Sequence, residues 1–209
     1  RCQAAIAELT ERLRAAQPDI VLVFGTDKGE LFPMDAMPAL AVYWGDAIRN
    51  IPRYALSPPD PSFAAAAWAY GEAGDIPVHA PLARHVIENL TQREFDVMQC
   101  RSLTEGQGIG HAFGFVVKRI MSLAPVPIVP IMINTRFPPN ALTASRCFGL
   151  GKAITHALMT WGGEERVAVV ASGGLSHFVV AEEWDWALLK GAQAKDATAL
   201  TSLPEARFH

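Results

Sequence analysis

Two of the six histidines in this chain of 209 residues stand where a histidine can do proton chemistry. His177 closes VAVVASGGLSH (167–177), in which a run of mostly β-branched residues ends in a serine, two glycines and a polar turn. His111 follows Gly106, Gly108 and Gly110 in EGQGIGHAFGF (105–115) and opens a helical stretch. Imidazole titrates near neutral pH, so either side chain can take up a proton and later return it. Asn134 and Arg136, in INTRFPPN (133–140), bring an amide and a guanidinium to the end of another apolar run, and a guanidinium suits a carboxylate. GTDKGELF (25–32) is a fourth polar segment directly after an apolar run.

Each of these has a plainer reading. Gly173-Gly174 can be a reversing turn, with His177 a satisfied core histidine, and His111 can merely occupy a first helical turn. His79, His85 and His156 lie in or beside amphipathic helices and are expected to face solvent. The glycines at 106–110 do not follow G-x-G-x-x-G or directly follow a strand, which argues against a dinucleotide loop. Ser172 and Ser176 sit in no G-x-S-x-G elbow, so nothing marks a serine hydrolase.

The elements that must hold these residues alternate in type. Ile6, Leu9 and Leu13 have helical spacing within 2–17. IVLVF (20–24) is short and wholly apolar, as a strand buried on both faces must be. Further strands are predicted at 39–44, 95–99, 126–133 and 167–171. Helices are predicted at 80–92, 111–122, from a Thr143 cap to about 161, and over 182–202. Residues 49–62 read as a proline-rich loop. This alternation predicts a three-layer α/β fold with a mostly parallel central sheet flanked by helices. In such folds the loops that do chemistry gather at the carboxyl ends of the strands. All four polar segments follow a strand or open a helix.

Half of the residues are hydrophobic and 19% are charged, which is ample for a sizeable core. The formal charge of −3 gives no electrostatic reason to expect nucleic acid or a membrane surface. No apolar run is long enough to span a bilayer, and no signal peptide is visible. Cys2, Cys100 and Cys147 form neither a metal cluster nor a disulfide framework, which points to a reducing, cytoplasmic setting. Arg1 begins inside a helical pattern without Met or N-cap, and the far end stops at LPEARFH. Residues 1–209 are therefore expected to be a single catalytic-type α/β domain lacking N- and C-terminal segments.

SGGLSH (172–177), GHAFGF (110–115), INTRFPPN with the following SRCFGLGKAI (145–154), and DAMPALAVYWG (35–45) together resemble the class III extradiol ring-cleaving dioxygenases. The likeness is to the catalytic subunit of protocatechuate 4,5-dioxygenase and, more, to the gallate and methylgallate branch; it runs through nearly the whole chain in order. It implies an oxidoreductase of aromatic catabolism that opens a catecholic acid with O2 next to, not between, the two hydroxyls. It implies one non-haem Fe(II) held by two histidines and a glutamate. It assigns the acid/base role to His177 and a second pocket histidine to His111; Asn134 and Arg136, just past a strand end, are expected on the substrate rim from their own chemistry. It also implies a homo-oligomer or a partner subunit.

The resemblance departs at the metal. One ligand of the family would precede Arg1, the glutamate would follow His209, and the remaining histidine falls at or near Lys28. A protonated lysine is a poor iron ligand, and Asp27 is the adjacent alternative. Three classes stay open: the ring-cleaving enzyme, with segments around the site absent from the chain; a non-catalytic subunit or binding protein on the same fold; and a hydrolase on a similar scaffold, for which no nucleophile is evident.

Overall fold

The computed structural model describes residues 2–51, 73–122, 126–176 and 179–202. Its main sheet has five strands in the order β5-β2-β6-β1-β7. These are β1 (Ile20–Gly25), β2 (Leu40–Tyr43), β5 (Met98–Cys100), β6 (Ile128–Ile133) and β7 (Val167–Ala171). The β1 pairs with β6 and β7 are parallel, as is β2 with β5; only β2 and β6 run antiparallel. A second, two-stranded antiparallel sheet joins β3 (Ala47–Asn50) to β4 (Gly74–Pro77).

Successive strand side chains point to opposite faces, and β1 shows what that does. Val21 and Val23 enter one core; Ile20 and Leu22 enter the other. The first core is closed by α3 (His111–Phe115), by the π-helical turn Val116–Met121 that continues it, and by α1 (Cys2–Ala16) through Ile6 and Leu13. Thr10 on α1 donates its hydroxyl to the Arg119 carbonyl at 3.1 Å, which pins that helix to the π turn. The second core is closed by α2 (Ala80–Gln92), through Leu82, Val86 and Leu90, and by α4 (Ala144–Met159), through Leu150, Ala153 and Ile154. Each fully buried Leu, Ile or Val contributes on the order of 1.5–3 kcal/mol, so two such layers hold the central strands rigidly. Helices α5 (Glu182–Ala194) and α6 (Ala197–Thr201) follow β7, separated by Lys195 in the left-handed region and capped anew by Asp196.

The three-layer expectation therefore holds, and several boundaries shift. Residues 49 and 50, expected in the loop, belong to β3, the strand expected at 95–99 starts at Met98, and the helix expected at 111–122 changes to π geometry after Phe115. The rest of the proline-rich stretch, from residue 52, lies outside the described residues. Thr143 does cap α4, accepting the Arg146 N–H at 3.1 Å. Pro130 is tolerated inside β6 because the β2 ladder covers only Ile131–Ile133, so no pair on that side needs an N–H from residue 130.

The carboxyl end of β1 meets the first turn of α3 at Gly25. A Cβ there would lie 2.9 Å from Ala112 Cβ and from the ring of Phe113. Gly25→Ala should therefore lower stability by about 1–3 kcal/mol through overpacking. In a chain of this size that is a fall of several degrees in Tm. Thermal unfolding followed by circular dichroism checks it; an unchanged Tm would mean that α3 is not seated on β1 as described.

Candidate active site

The parallel strands β1, β6 and β7 end on one edge of the sheet, and their following loops meet there. Thr26, just past β1, and Thr135, just past β6, bring their hydroxyls within 3.3 Å. Ser172, just past β7, extends the β1 ladder by donating its N–H to Phe24 O at 2.8 Å. The Ser172 hydroxyl donates to the Ala112 carbonyl at 2.6 Å, tying the same loop to α3. The four polar segments singled out in the sequence thus converge at this edge.

The loop after β1 is organised by Asp27, whose side chain is buried. One carboxylate oxygen accepts the N–H groups of Glu30 and Leu31 at 3.0 and 3.1 Å, and the other accepts that of Phe32 at 2.9 Å. Three amides that would otherwise be orphaned are satisfied by one side chain. Gly29 adopts φ +81°, a conformation that the reversal needs and that a side chain would strain. Asp27 is therefore committed to its own loop.

That turn presents Lys28 and Glu30. Lys28 is partly buried, and burial first, then the nearby charge of Arg136, push its ammonium pKa down; Glu30 acts in the opposite direction. Two cations from different loops, Lys28 and Arg136, thus share a field at the sheet edge, with the Glu30 carboxylate beside them. Glu30 reaches across to His111: Oε2 lies 2.8 Å from Nδ1, and Oε1 accepts the His111 backbone N–H at 3.1 Å. The Glu30 side chain is 10% exposed and that of His111 29%. The pair is thus screened from solvent more than a surface ion pair is, yet still accessible.

Asn134 is buried at the end of β6 and folds its loop. Its oxygen accepts the N–H groups of Arg136 and Phe137 at 3.1 and 2.8 Å, while its amide donates to Phe137 O at 2.7 Å and Asn140 Oδ1 at 2.9 Å. The Arg136 backbone is thereby held, and its half-buried side chain lies near Lys28. On the β7 loop, Asp185 at the start of α5 accepts from the Ser176 N–H at 2.8 Å and from its hydroxyl at 2.7 Å. This fixes the residue before His177; His177 itself lies outside the described residues.

Glu30 and Asp185 escaped sequence reasoning. Glu30 lies inside a segment already singled out, but its partner is 81 residues away. The solvent-facing expectation also fails for two histidines. His79 caps α2 by accepting the Leu82 N–H on Nδ1 at 3.2 Å and packs edge-on against Trp161. His85 lies against the same indole, with Nε2 2.9 Å from Ala157 O. His156 is exposed as expected.

No group of three His, Cys, Asp or Glu able to hold a metal occurs among the described residues. Lys28 occupies the loop position where the resemblance places a histidine ligand, and Asp27 is spent on amides. The described residues do not fit an Fe(II) site of the kind the resemblance implies. The three cysteines are free. No described helix is long and apolar enough to cross a membrane.

The family model of the catalytic LigB subunit of aromatic ring-opening dioxygenase matches residues 2–208. A 2,3-dihydroxyphenylpropionate/2,3-dihydroxicinnamic acid 1,2-dioxygenase of Cupriavidus necator is 32% identical over 181 residues, 85% of this chain and 48% of its own length. A gallate dioxygenase of Pseudomonas putida is 33% identical over 128 residues, 55% of this chain and 36% of its own. The chain thus spans about half the length of the first of these relatives. The solved structure of an uncharacterised Escherichia coli K12 protein superposes with a TM-score of 0.51 at 14% identity, covering 99% of this chain and 77% of that one, a likeness of fold alone.

Proposed function

Since the chain belongs to the family of the catalytic LigB subunit of aromatic ring-opening dioxygenases, we propose that this protein opens the ring of a catecholic aromatic acid with dioxygen. The carbon–carbon bond beside the two hydroxyls breaks, and both oxygen atoms enter the product. The observation that carries this reading is the convergence of the Lys28, His111, Arg136 and Ser172 loops on one sheet edge. The proposal includes a cytoplasmic, single-domain catalytic unit that works as an oligomer or with a partner subunit.

Each residue has a distinct task in the proposal. Arg136 and Lys28 form a cationic rim for the substrate carboxylate, a group that the named substrates of the relatives, a dihydroxyphenylpropionate and gallate, both carry. Asn134 holds the loop from which Arg136 reaches out. His177 is the base that takes a catechol proton and the acid that returns it when the oxygen–oxygen bond breaks. His111 is a second proton-handling group, backed by Glu30. The family's chemistry brings non-haem Fe(II) with it, and the described residues do not supply its ligands.

A second reading, binding without turnover, is favoured by Lys28 alone, because an ammonium adds charge to the pocket without offering a lone pair to a metal. Incubating Fe(II)-supplied protein with protocatechuate, gallate and 2,3-dihydroxyphenylpropionate, and following the visible absorbance of the ring-opened product, separates the two. Turnover of at least one acid is expected. Saturable binding of the acids without product would establish the second reading instead.

A further inference from the structure

We infer that Glu30 is a positioning residue that holds His111 as its Nδ1–H tautomer, placing the acid–base chemistry of that ring on Nε2. The use made of that nitrogen rests on the proposed dioxygenase reading; the positioning itself does not.

Three features of the structure agree. First, one carboxylate engages the same residue twice, through the ring at 2.8 Å and through the backbone N–H at 3.1 Å. A carboxylate only accepts hydrogen bonds, so the ring nitrogen facing it must carry the proton, and the neutral ring's lone pair then lies on Nε2. The double engagement restricts both the main chain and the side-chain torsions of His111, which a single contact would not.

Second, Glu30 is itself held. Its N–H is bonded to buried Asp27 at 3.0 Å, and it follows the positive-φ turn at Gly29. The order of support runs from Asp27 to the Glu30 backbone, and from the Glu30 carboxylate to His111. A carboxylate with only a tenth of its side chain exposed, fixed at its base, loses little entropy when it docks on the imidazole.

Third, Gly110 makes room. Its backbone is ordinary extended chain, φ −72° and ψ 168°, which any residue can adopt. Glycine is therefore not needed there for conformational freedom. A Cβ at 110 would instead collide with the Glu30 carboxylate. A side chain at 110 would therefore have to displace the carboxylate that holds His111.

In the proposed reaction, a ring fixed in this way accepts a proton only at Nε2, and the Glu30 carboxylate faces the positive charge that results. Lys28, in the same loop, adds a competing cation near Glu30, so the pair works inside a mixed field rather than as an isolated dyad.

The test reads the tautomer directly. Long-range proton–nitrogen correlation spectra of the full protein, uniformly labelled with 15N, are recorded at a pH where the rings are neutral. The His111 signals are assigned by their loss in His111→Gln. The wild-type ring should show the Nδ1–H pattern. In Glu30→Gln the side-chain amide can donate to Nδ1, and the ring should change to Nε2–H; Glu30→Asp, which keeps a carboxylate, should retain Nδ1–H. A wild-type ring already in the Nε2–H form, or one that ignores Glu30→Gln, overturns the inference. If Glu30→Gln fails to fold, the wild-type tautomer decides alone. With turnover established, Glu30→Gln should cut kcat by about 10–100-fold while KM moves much less, the size typical of a lost orienting partner. An Nδ1–H ring in a protein that turns over no catechol would leave the positioning standing and remove the dioxygenase reading.

Discussion

His177→Gln is expected to leave a folded protein that still binds the catecholic acid and turns it over roughly two to four orders of magnitude more slowly, the cost of a lost general acid/base. The expectation rests on the described residues that lead up to it. Strand β7 ends at Ala171, and Ser172 is bonded both to Phe24 of β1 and to Ala112 of α3. Asp185 then clamps Ser176 through two hydrogen bonds. The segment Ser172–Ser176 that leads to position 177 is thus held at both ends, at the sheet edge that carries the Lys28, His111 and Arg136 loops. A histidine with only a packing role would respond differently, because its replacement would lower Tm and folded yield together. Melting temperature, substrate binding and turnover measured on one preparation distinguish the two. A well-folded variant with near wild-type turnover would remove His177 from the chemistry.

His111→Phe carries the second large effect. The phenyl ring fills the imidazole's space but neither handles a proton nor pairs with Glu30, so turnover should fall by about a hundredfold or more. Stability should fall as well, since a partly buried carboxylate loses its ring partner. A double variant sharpens the test. If Glu30 acts through His111, adding Glu30→Gln to His111→Phe should reduce turnover little further, because the contact is already gone. Full additivity of the two losses, read from kcat of the four proteins in the cycle, would mean that Glu30 has a separate role.

The parts of this site that lie within single segments were readable from residues alone. IVLVF reads as a strand buried on both faces, and the structure gives Ile20 and Leu22 to one core and Val21 and Val23 to the other. Parallel strands place their following loops on a common edge, so four loops read separately could be expected to meet there. What escaped depends on distance or direction. Nothing in LAVY states that β2 should run antiparallel to β6, since an apolar run has the same pattern in either direction. The π turn after Phe115 has no compositional mark. Glu30 and His111 are far apart in the chain, and only the folded structure brings the Glu30 carboxylate against Gly110 and His111. His79 and His85 were misjudged because amphipathic periodicity places a side chain on a helix but does not show Trp161 arriving from another element. Lys28 stands where the resemblance places a histidine ligand, and its pKa is depressed by burial first and then by the nearby charge of Arg136.

The most direct measurement of the central claim follows the fate of dioxygen itself. Full protein supplied with Fe(II) is given the best-bound catecholic acid under 18O2, and the product is analysed by mass spectrometry alongside oxygen uptake. The account predicts one dioxygen consumed per acid, with both labelled atoms in a single ring-opened product cleaved beside the hydroxyls. An acid that binds and is recovered intact with no oxygen uptake, or a product that carries no label, would contradict it.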